Sequence, residues 1–167
     1  MGEISVRLVP HPESGAGAVR SIATRVRRLP ASLQVEYRLE GDLSRVRIPP
    51  AAPPRRVDDL WRHTCCELFV QREAPAYEEF NFSPSGEWAA YAFRSYREPA
   101  AAPEVAVTIR FHQDLLQAEI PLQGGKITVA PTAVVEDAGG VLSYWALRHP
   151  PGKPDFHDFG GYVLRFG

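Results

Sequence analysis

Alternation of apolar and polar residues is the dominant pattern of this chain. It runs without interruption through residues 33–40 and again through residues 105–112. Successive side chains of a β-strand point to opposite faces, so this period predicts strands with one buried face. Shorter stretches of similar character predict further strands at residues 4–9, 45–48, 65–71, 79–83, 88–93, 117–121, 128–135, 141–147 and 162–166.

Two stretches are less regular. In residues 19–29 the apolar positions fit a helix face or a strand, and the abundance of strands elsewhere favours a strand. Residues 58–62 are predicted to form one helical turn. Prolines and glycines separate the predicted elements. About eleven short strands with little helix predict an all-β fold, an antiparallel β-sandwich forming a single domain over residues 1–167, with a closed barrel as the alternative.

The densest stretch is residues 77–93, YEEFNFSPSGEWAAYAF. Proline and glycine in Ser83-Pro84-Ser85-Gly86 fit a β-turn, which predicts a hairpin. Phe80 and Phe82 share one face of its first strand and are expected in the core. Asn81 on the other face needs a partner if that face is covered. Trp88 stands among alanines that leave a shallow floor, so a groove for a flat sugar ring is one interpretation of this hairpin.

Composition narrows the range of functions. The chain has 167 residues, 44% hydrophobic and 23% charged, with a formal net charge of −1. This balance gives no global attraction to nucleic acid or to an anionic membrane. The first residues lack a basic start followed by a long apolar run, so we expect no signal peptide and a cytoplasmic location. Cys65 and Cys66 are adjacent and are interpreted as reduced thiols rather than zinc ligands.

Four segments together resemble a known family. They are DDLWRHTCCELFV, YEEFNFSPSGEWAAYAF, LLQAEIPL and PDFHDFGGYVLRFG, in that order between residues 57 and 167. The combination resembles DOMON-like domains, and more closely the stand-alone bacterial relatives of the family-9 carbohydrate-binding modules. The first fifty residues match only as generic strands. The resemblance implies a β-sandwich with a ligand groove.

Family-9 modules hold a terminal sugar between two aromatic rings, and the resemblance transfers this arrangement to particular residues. Trp61 stands six positions before Glu67, which is the family spacing of the first clamp residue and its acid. The second ring would come from the last loops, where Trp145, Phe156 and His157 remain alternatives. The residues expected to contact sugar hydroxyls by type and region are Arg62, Asn81, Arg97 and Lys153.

The chain also departs from these relatives. Many DOMON-like domains bind haem through methionine and histidine, but Met1 is the only methionine in this sequence, so no cofactor is expected. The late loop brings His149, Asp155 and His157 within ten residues, yet without a third ligand at a known spacing no metal is assigned. The expected partner is a small molecule, most simply a carbohydrate, and the oligomeric state stays open.

Two other classes of function compete with sugar binding. A small enzyme acting on a carbohydrate-like substrate would need two carboxylates flanking one bond, and Glu67 and Glu79 could face each other on neighbouring strands. It should show polar residues with shifted ionisation converging in a deep pocket, whereas a simple binder should show aromatics along an open groove. The third class is an interaction module whose exposed sheet edge pairs with a protein.

Overall fold

The computed structural model describes residues 1–15, 17–158, 160 and 163–167. Strands dominate this part of the chain, and helix is confined to the 3₁₀ turns Leu43–Arg45 and Leu60–Arg62. The strands are β1 (Gly2–Pro10), β2 (Val19–Arg28), β3 (Ser32–Gly41), β4 (Cys65–Gln71), β5 (Tyr77–Phe82), β6 (Trp88–Ser95), β7 (Glu98–Ala100), β8 (Thr108–His112), β9 (Leu115–Pro121), β10 (Ile127–Glu136), β11 (Leu142–Ala146) and β12 (Leu164–Phe166).

The strands form two antiparallel sheets joined by β1. Sheet 1 has the order β1-β2-β3-β9-β8, and sheet 2 has the order β7-β6-β5-β4-β10-β11. Strand β12 pairs with the first residues of β10. Residues 2–8 of β1 pair with β2, whereas Val9 and Pro10 pair with β11. The predicted antiparallel β-sandwich is therefore confirmed.

Alternating burial explains the first sheet. In β3 the buried residues Leu33, Val35, Tyr37 and Leu39 alternate with more exposed ones, as the sequence period requires. The buried face packs against sheet 2 in one apolar core, and the other face meets solvent. The Tyr37 hydroxyl donates a hydrogen bond across this core to the backbone carbonyl of Glu67.

The central strands of sheet 2 are buried on both faces. In β4 every residue from Cys65 to Val70 is buried. Leu68 and Val70 belong to the core between the sheets. Phe69, on the opposite face, packs in a second small cluster with Tyr77 and Phe156. Sheet 2 therefore has a covered outer face, and the candidate site lies there.

Most predicted elements are confirmed, including the strand at residues 19–29, the turn at residues 58–62 and the central hairpin. In that hairpin the Gly86 N–H donates to the Ser83 carbonyl at 3.0 Å. Gly86 has a φ of 93°, which glycine adopts without strain. Both cysteines are buried and unbonded to each other. Along the described ranges no helix is long and apolar enough to span a membrane.

Two strand predictions need correction, and one strand was not predicted. The strand predicted at residues 45–48 is absent, and Val46 makes only a single bridge to Asp137. Pro49 and Pro50 lack the N–H groups that a longer ladder would need. Strand β8 begins only at Thr108, and the short edge strand β7 was missed because it contains Pro99, a residue that edge strands tolerate. Tyr162, in the last predicted strand, lies outside the described residues.

Replacing Tyr37 with phenylalanine tests the contact between the sheets. We expect the free energy of unfolding to fall by about 1–3 kcal/mol, because a buried hydrogen bond is lost while the ring still fills its space. Urea denaturation followed by fluorescence measures this. The control is Tyr96→Phe, because Tyr96 is 57% exposed and its hydrogen bond to Asp155 lies at the surface, and a loss no larger than in that control would contradict the expectation.

Candidate functional site

A groove of about 350 Å³ opens on the outer face of sheet 2. Strands β4, β5, β10 and β11 contribute to it, together with the 3₁₀ turn Leu60–Arg62 and the segment before β12. The residues that line it are Trp61, Glu67, Phe69, Glu79, Arg97, Val134, Tyr144, Lys153, Pro154, Phe156 and His157. A volume of this size suits a small-molecule ligand.

Strand register places the polar residues of the floor together. Glu67 in β4 pairs with Asn81 in β5 and with Thr132 in β10, so these three side chains share one face. Two residues further along β4, Phe69 pairs with Glu79. Glu67 and Glu79 are thus diagonal neighbours on adjacent strands.

Glu67 is almost completely buried, with 2% of its surface exposed. Its carboxylate accepts a hydrogen bond from the Thr132 hydroxyl at 3.4 Å. Burial raises the pKa of Glu67 well above the ordinary value, and the nearby charge of Glu79 raises it further. Both effects penalise the ionised form, so Glu67 keeps its proton to higher pH than an exposed glutamate does.

Glu79 is the second buried acid of the floor. Burial is the main cause that raises its pKa to about 7, while Asn81 and Arg97 lower it by smaller amounts. At neutral pH this side chain therefore exchanges between its acid and carboxylate forms. A group poised near neutrality can serve either as a donor or as an acceptor.

A chain of hydrogen bonds links His157 to the β6–β7 turn. The Arg97 backbone N–H donates to the Tyr77 hydroxyl at 3.1 Å, and this hydroxyl is hydrogen-bonded to His157 Nδ1 at 2.7 Å. The other ring nitrogen, Nε2, lies 3.6 Å from Glu79 Oε2. Burial lowers the pKa of His157 to about 4, which is consistent with a neutral ring.

The basic residues of the groove lie nearer its rim. The Arg97 guanidinium pairs with Asp155 at 2.8 Å, and Tyr96 donates to the same carboxylate. Lys153 is exposed at the end of the groove. Most of the positive charge of Arg97 is therefore compensated locally.

Histidines outside the groove attach the segment of residues 148–158 to the sandwich. His11 is buried; its Nδ1 accepts from the Glu13 backbone, so its Nε2 donates to the Gly152 carbonyl at 2.9 Å. His149 Nε2 bonds the Val9 carbonyl at 2.8 Å. These contacts hold Lys153 and Phe156 in position over the sheet.

The structure brings six of the ten predicted site residues together. Those that line the groove are Trp61, Glu67, Arg97, Lys153, Phe156 and His157. Arg62 lies beside it, with its guanidinium carbon 5.2 Å from the centre of the Trp61 ring. Of the three alternatives for a second ring, Phe156 and His157 line the groove, and the binding roles of all these residues stay predictions.

Three predicted residues do not reach the groove. Trp88 and Trp145 pack into the core between the sheets, so their assignment to a ligand groove is corrected. Alternation is the reason, because the groove side of these strands is occupied by their neighbours Ala89 and Tyr144. Asn81 points to the groove side but is fully buried beneath the floor.

Among the lining residues, Glu79 was predicted only as one carboxylate of a possible enzyme site and not as a ligand-binding residue, and Tyr144 was not predicted at all. Glu79 shares the strand face of Asn81, so the same alternation that selected Asn81 was the available signal. Tyr144 is next to Trp145, and choosing the larger ring selected the wrong face. Phe69 was missed because a continuous apolar strand does not reveal which of its faces is covered by a loop.

The comparison with solved structures supports the fold. A protein from Bacteroides uniformis ATCC 8492, provisionally named a carbohydrate-binding protein, superposes with a TM-score of 0.69. The alignment covers 98% of this chain and 84% of the other chain, at 12% sequence identity. This likeness shows the fold. By sequence, no protein-family model and no curated protein matches the chain.

A larger depression of about 490 Å³ lies on the solvent face of sheet 1. Its lining is dominated by charged side chains such as Arg7, Arg25 and Arg38, which pair with acids of the same sheet. It is an open polar sheet face without aromatic lining. The groove on sheet 2 is therefore the better candidate for a functional site.

Replacing Glu79 with glutamine should change how stability depends on pH. A raised pKa means that the folded protein binds more protons than the unfolded chain, so Glu79 makes stability fall as pH rises from about 4.5 towards 7. His157, with its lowered pKa, acts in the opposite direction between about 4 and 6.5, so the wild-type curve alone does not isolate Glu79.

The difference in the free energy of unfolding between wild type and Glu79→Gln, measured at each pH, isolates the contribution of Glu79. We expect the variant to gain stability relative to wild type by on the order of 3 kcal/mol between pH 4.5 and pH 8. Urea unfolding at several pH values measures this gain, and Glu104→Gln, an exposed change of the same type, serves as control. A stability difference independent of pH would contradict the assignment.

Proposed function

We propose that this protein binds a sugar or sugar derivative, without catalysis, in the groove on sheet 2. The observation that carries the proposal is the meeting of exposed aromatic rings with buried polar groups in one cavity of ligand size. Trp61 is 44% exposed although it is a large apolar residue. An exposed tryptophan beside a polar floor is a natural platform for the apolar face of a sugar ring.

The arrangement divides the recognition between two kinds of groups. Arg62 covers part of the Trp61 ring and orients it, while Phe156 and Tyr144 contribute apolar surface further along the groove. Glu67 and Glu79 have donors and acceptors for hydroxyl groups. A shallow depression lined by Tyr91 and Asp58 shares Trp61 and Glu79 with the groove, so a ligand longer than one sugar ring would also be accommodated.

Two further observations support the proposal. The resemblance to family-9 carbohydrate-binding modules selected Trp61 and Glu67 from their spacing, and both residues line the same groove. The Bacteroides uniformis protein of similar fold is itself provisionally named for carbohydrate binding. We extend that ligand class to this chain.

A sugar screen with Trp61 variants tests the proposal. We expect the melting temperature of the wild type to rise with at least one mono- or disaccharide at millimolar concentration, because a ligand of the native state stabilises it. Trp61→Ala should abolish the rise, since the stacking surface is lost, while Trp61→Phe should retain part of it. Thermal-shift measurements followed by isothermal titration calorimetry give the comparison.

The decisive control is the unliganded stability of the two variants. The exposed position of Trp61 predicts that Trp61→Ala melts close to wild type without sugar, so a lost response would reflect lost binding. If no sugar shifts the wild type, or if Trp61→Ala responds equally, sugar binding in this groove is wrong.

A second candidate function is acid–base chemistry on a carbohydrate-like substrate. The observation that favours it is the pair of buried carboxyl groups, because environments that shift two acids to different extents are typical of glycosidases. Glu67 would donate a proton to a leaving oxygen, and ionised Glu79 would take one from water. Release of nitrophenol from aryl glycosides by the wild type, lost in Glu67→Gln, would establish this activity in place of simple binding.

A further inference from the structure

Two buried acids without a cationic partner form the floor of the groove. Among the described residues, no lysine or arginine nitrogen lies within 4.0 Å of the Glu67 or Glu79 carboxyl group; Glu79 has only the neutral His157, at 3.6 Å. Buried carboxylates are normally paired with a positive charge or with several hydrogen-bond donors. When ionised, the two carboxyl groups of this floor therefore have no cationic partner among the described residues.

Asn81 provides a separate sign that a partner is missing. Its side chain is completely buried on the groove side of β5, directly opposite Glu67. Neither its amide nitrogen nor its amide oxygen has a hydrogen-bond partner of ordinary geometry in the described ranges, although the amide is near enough to Glu79 to lower its pKa. Unsatisfied buried polar groups are rare, so an unpaired amide directly beneath the two acids indicates that the polar groups of this floor are not fully paired within the protein.

The walls of the groove suit a cation. Phe69, Tyr144 and Phe156 border the floor, and Trp61 stands at its edge. Aromatic faces attract positive charge, and most strongly where water is excluded. Two carboxyl groups and a hydroxyl are too few for calcium, which takes six to eight oxygen ligands. An organic ammonium group, with three N–H donors, fits this donor set better.

We propose that the groove selects sugars bearing a primary ammonium group, which binds between the Glu67 and Glu79 carboxyl groups beneath the sugar ring. The inference rests on the proposed sugar-binding function and names the ligand class within it. The ammonium N–H groups donate to both carboxylates, and the aromatic rings contact the carbon skeleton. Asn81 supports the carboxylates from below.

Binding of the ammonium group should release protons from the Glu67 and Glu79 carboxyl groups. An ammonium group favours ionised carboxylates, so acids that keep a proton in the empty groove release it on binding. Affinity should therefore fall at acidic pH. Several charged and titratable groups face the two acids or lie beside them. They are Cys65 of β4, Tyr77 of β5, Tyr91 of β6, Arg97 of the β6–β7 turn with its partner Asp155, and Lys153 and His157 of the segment before β12. Strands β10 and β11 present Thr132, Val134 and Tyr144.

Three sugars of equal ring structure provide the test. Glucosamine has an ammonium group at the position where glucose has a hydroxyl and N-acetylglucosamine a neutral amide. By isothermal titration calorimetry at pH 7 we expect glucosamine to bind about tenfold more tightly than glucose or better, as charge-assisted hydrogen bonds provide. N-acetylglucosamine should show no such advantage. At pH 5, where the acids keep their protons, the preference should shrink.

Glu79→Gln adds a second readout. It keeps the size of the side chain but removes the charge, so the preference for glucosamine over glucose should fall several-fold. Glu104→Gln, an exposed change of the same type at a residue that does not line the groove, should keep the wild-type preference. Circular dichroism and the melting temperature verify that each variant is folded, and the wild-type pH comparison needs no variant at all.

Cyclohexylamine, a charged ring without hydroxyl groups, separates the two proposals. If glucose and glucosamine bind equally at both pH values, ammonium selection is overturned and sugar binding stands. If cyclohexylamine binds and no sugar does, sugar binding fails and the site for a cation stands. If none of the four compounds binds, both proposals are overturned.

Discussion

The attachment of residues 148–158 to the outer face of sheet 2 is the constraint on which the candidate site depends. Without it, Glu67, Phe69 and Glu79 would lie on the solvent face of an ordinary antiparallel sheet. The hydrogen bond from His11 to the Gly152 carbonyl fixes one end of the segment, and the contact between His157 and Tyr77 fixes the other. The segment excludes water from Glu67 and Glu79, and their raised pKa values therefore follow from the packing of residues 148–158 on the sheet.

The same covering explains why no one residue accounts for the chemistry of the groove. Burial is the main cause that raises the pKa of each acid, and the charge of Glu79 raises the pKa of Glu67 further. His157 is kept neutral by the same exclusion of water, and its Nδ1 is hydrogen-bonded to the Tyr77 hydroxyl. Loss of any covering residue would therefore alter all three groups together.

The fold was largely predictable from the sequence because a period of two residues is a direct consequence of strand geometry. The spacing of Trp61 and Glu67 led to the prediction that they share one groove, and both line it, while their binding roles stay predictions. The remaining misassignments have one physical origin: in a sheet covered on both sides, alternation tells that two faces exist but not which one meets the core. Trp145 was therefore chosen where Tyr144 lines the groove, and Glu79 was given less weight than Asn81.

Strand β1 has a consequence for the order in which the molecule assembles. Its first residues belong to sheet 1, but Val9 and Pro10 pair with Trp145 and Ala146, near the opposite end of the sequence. Contacts between residues so distant along the chain slow folding, because a long loop must close before they form. During synthesis, the apolar faces of β2 and β3 therefore stay exposed until the later strands that cover them have been made. The pairing that joins the two sheets therefore requires residues up to Ala146 to have been synthesised, and apolar strand faces that stay exposed until then favour aggregation.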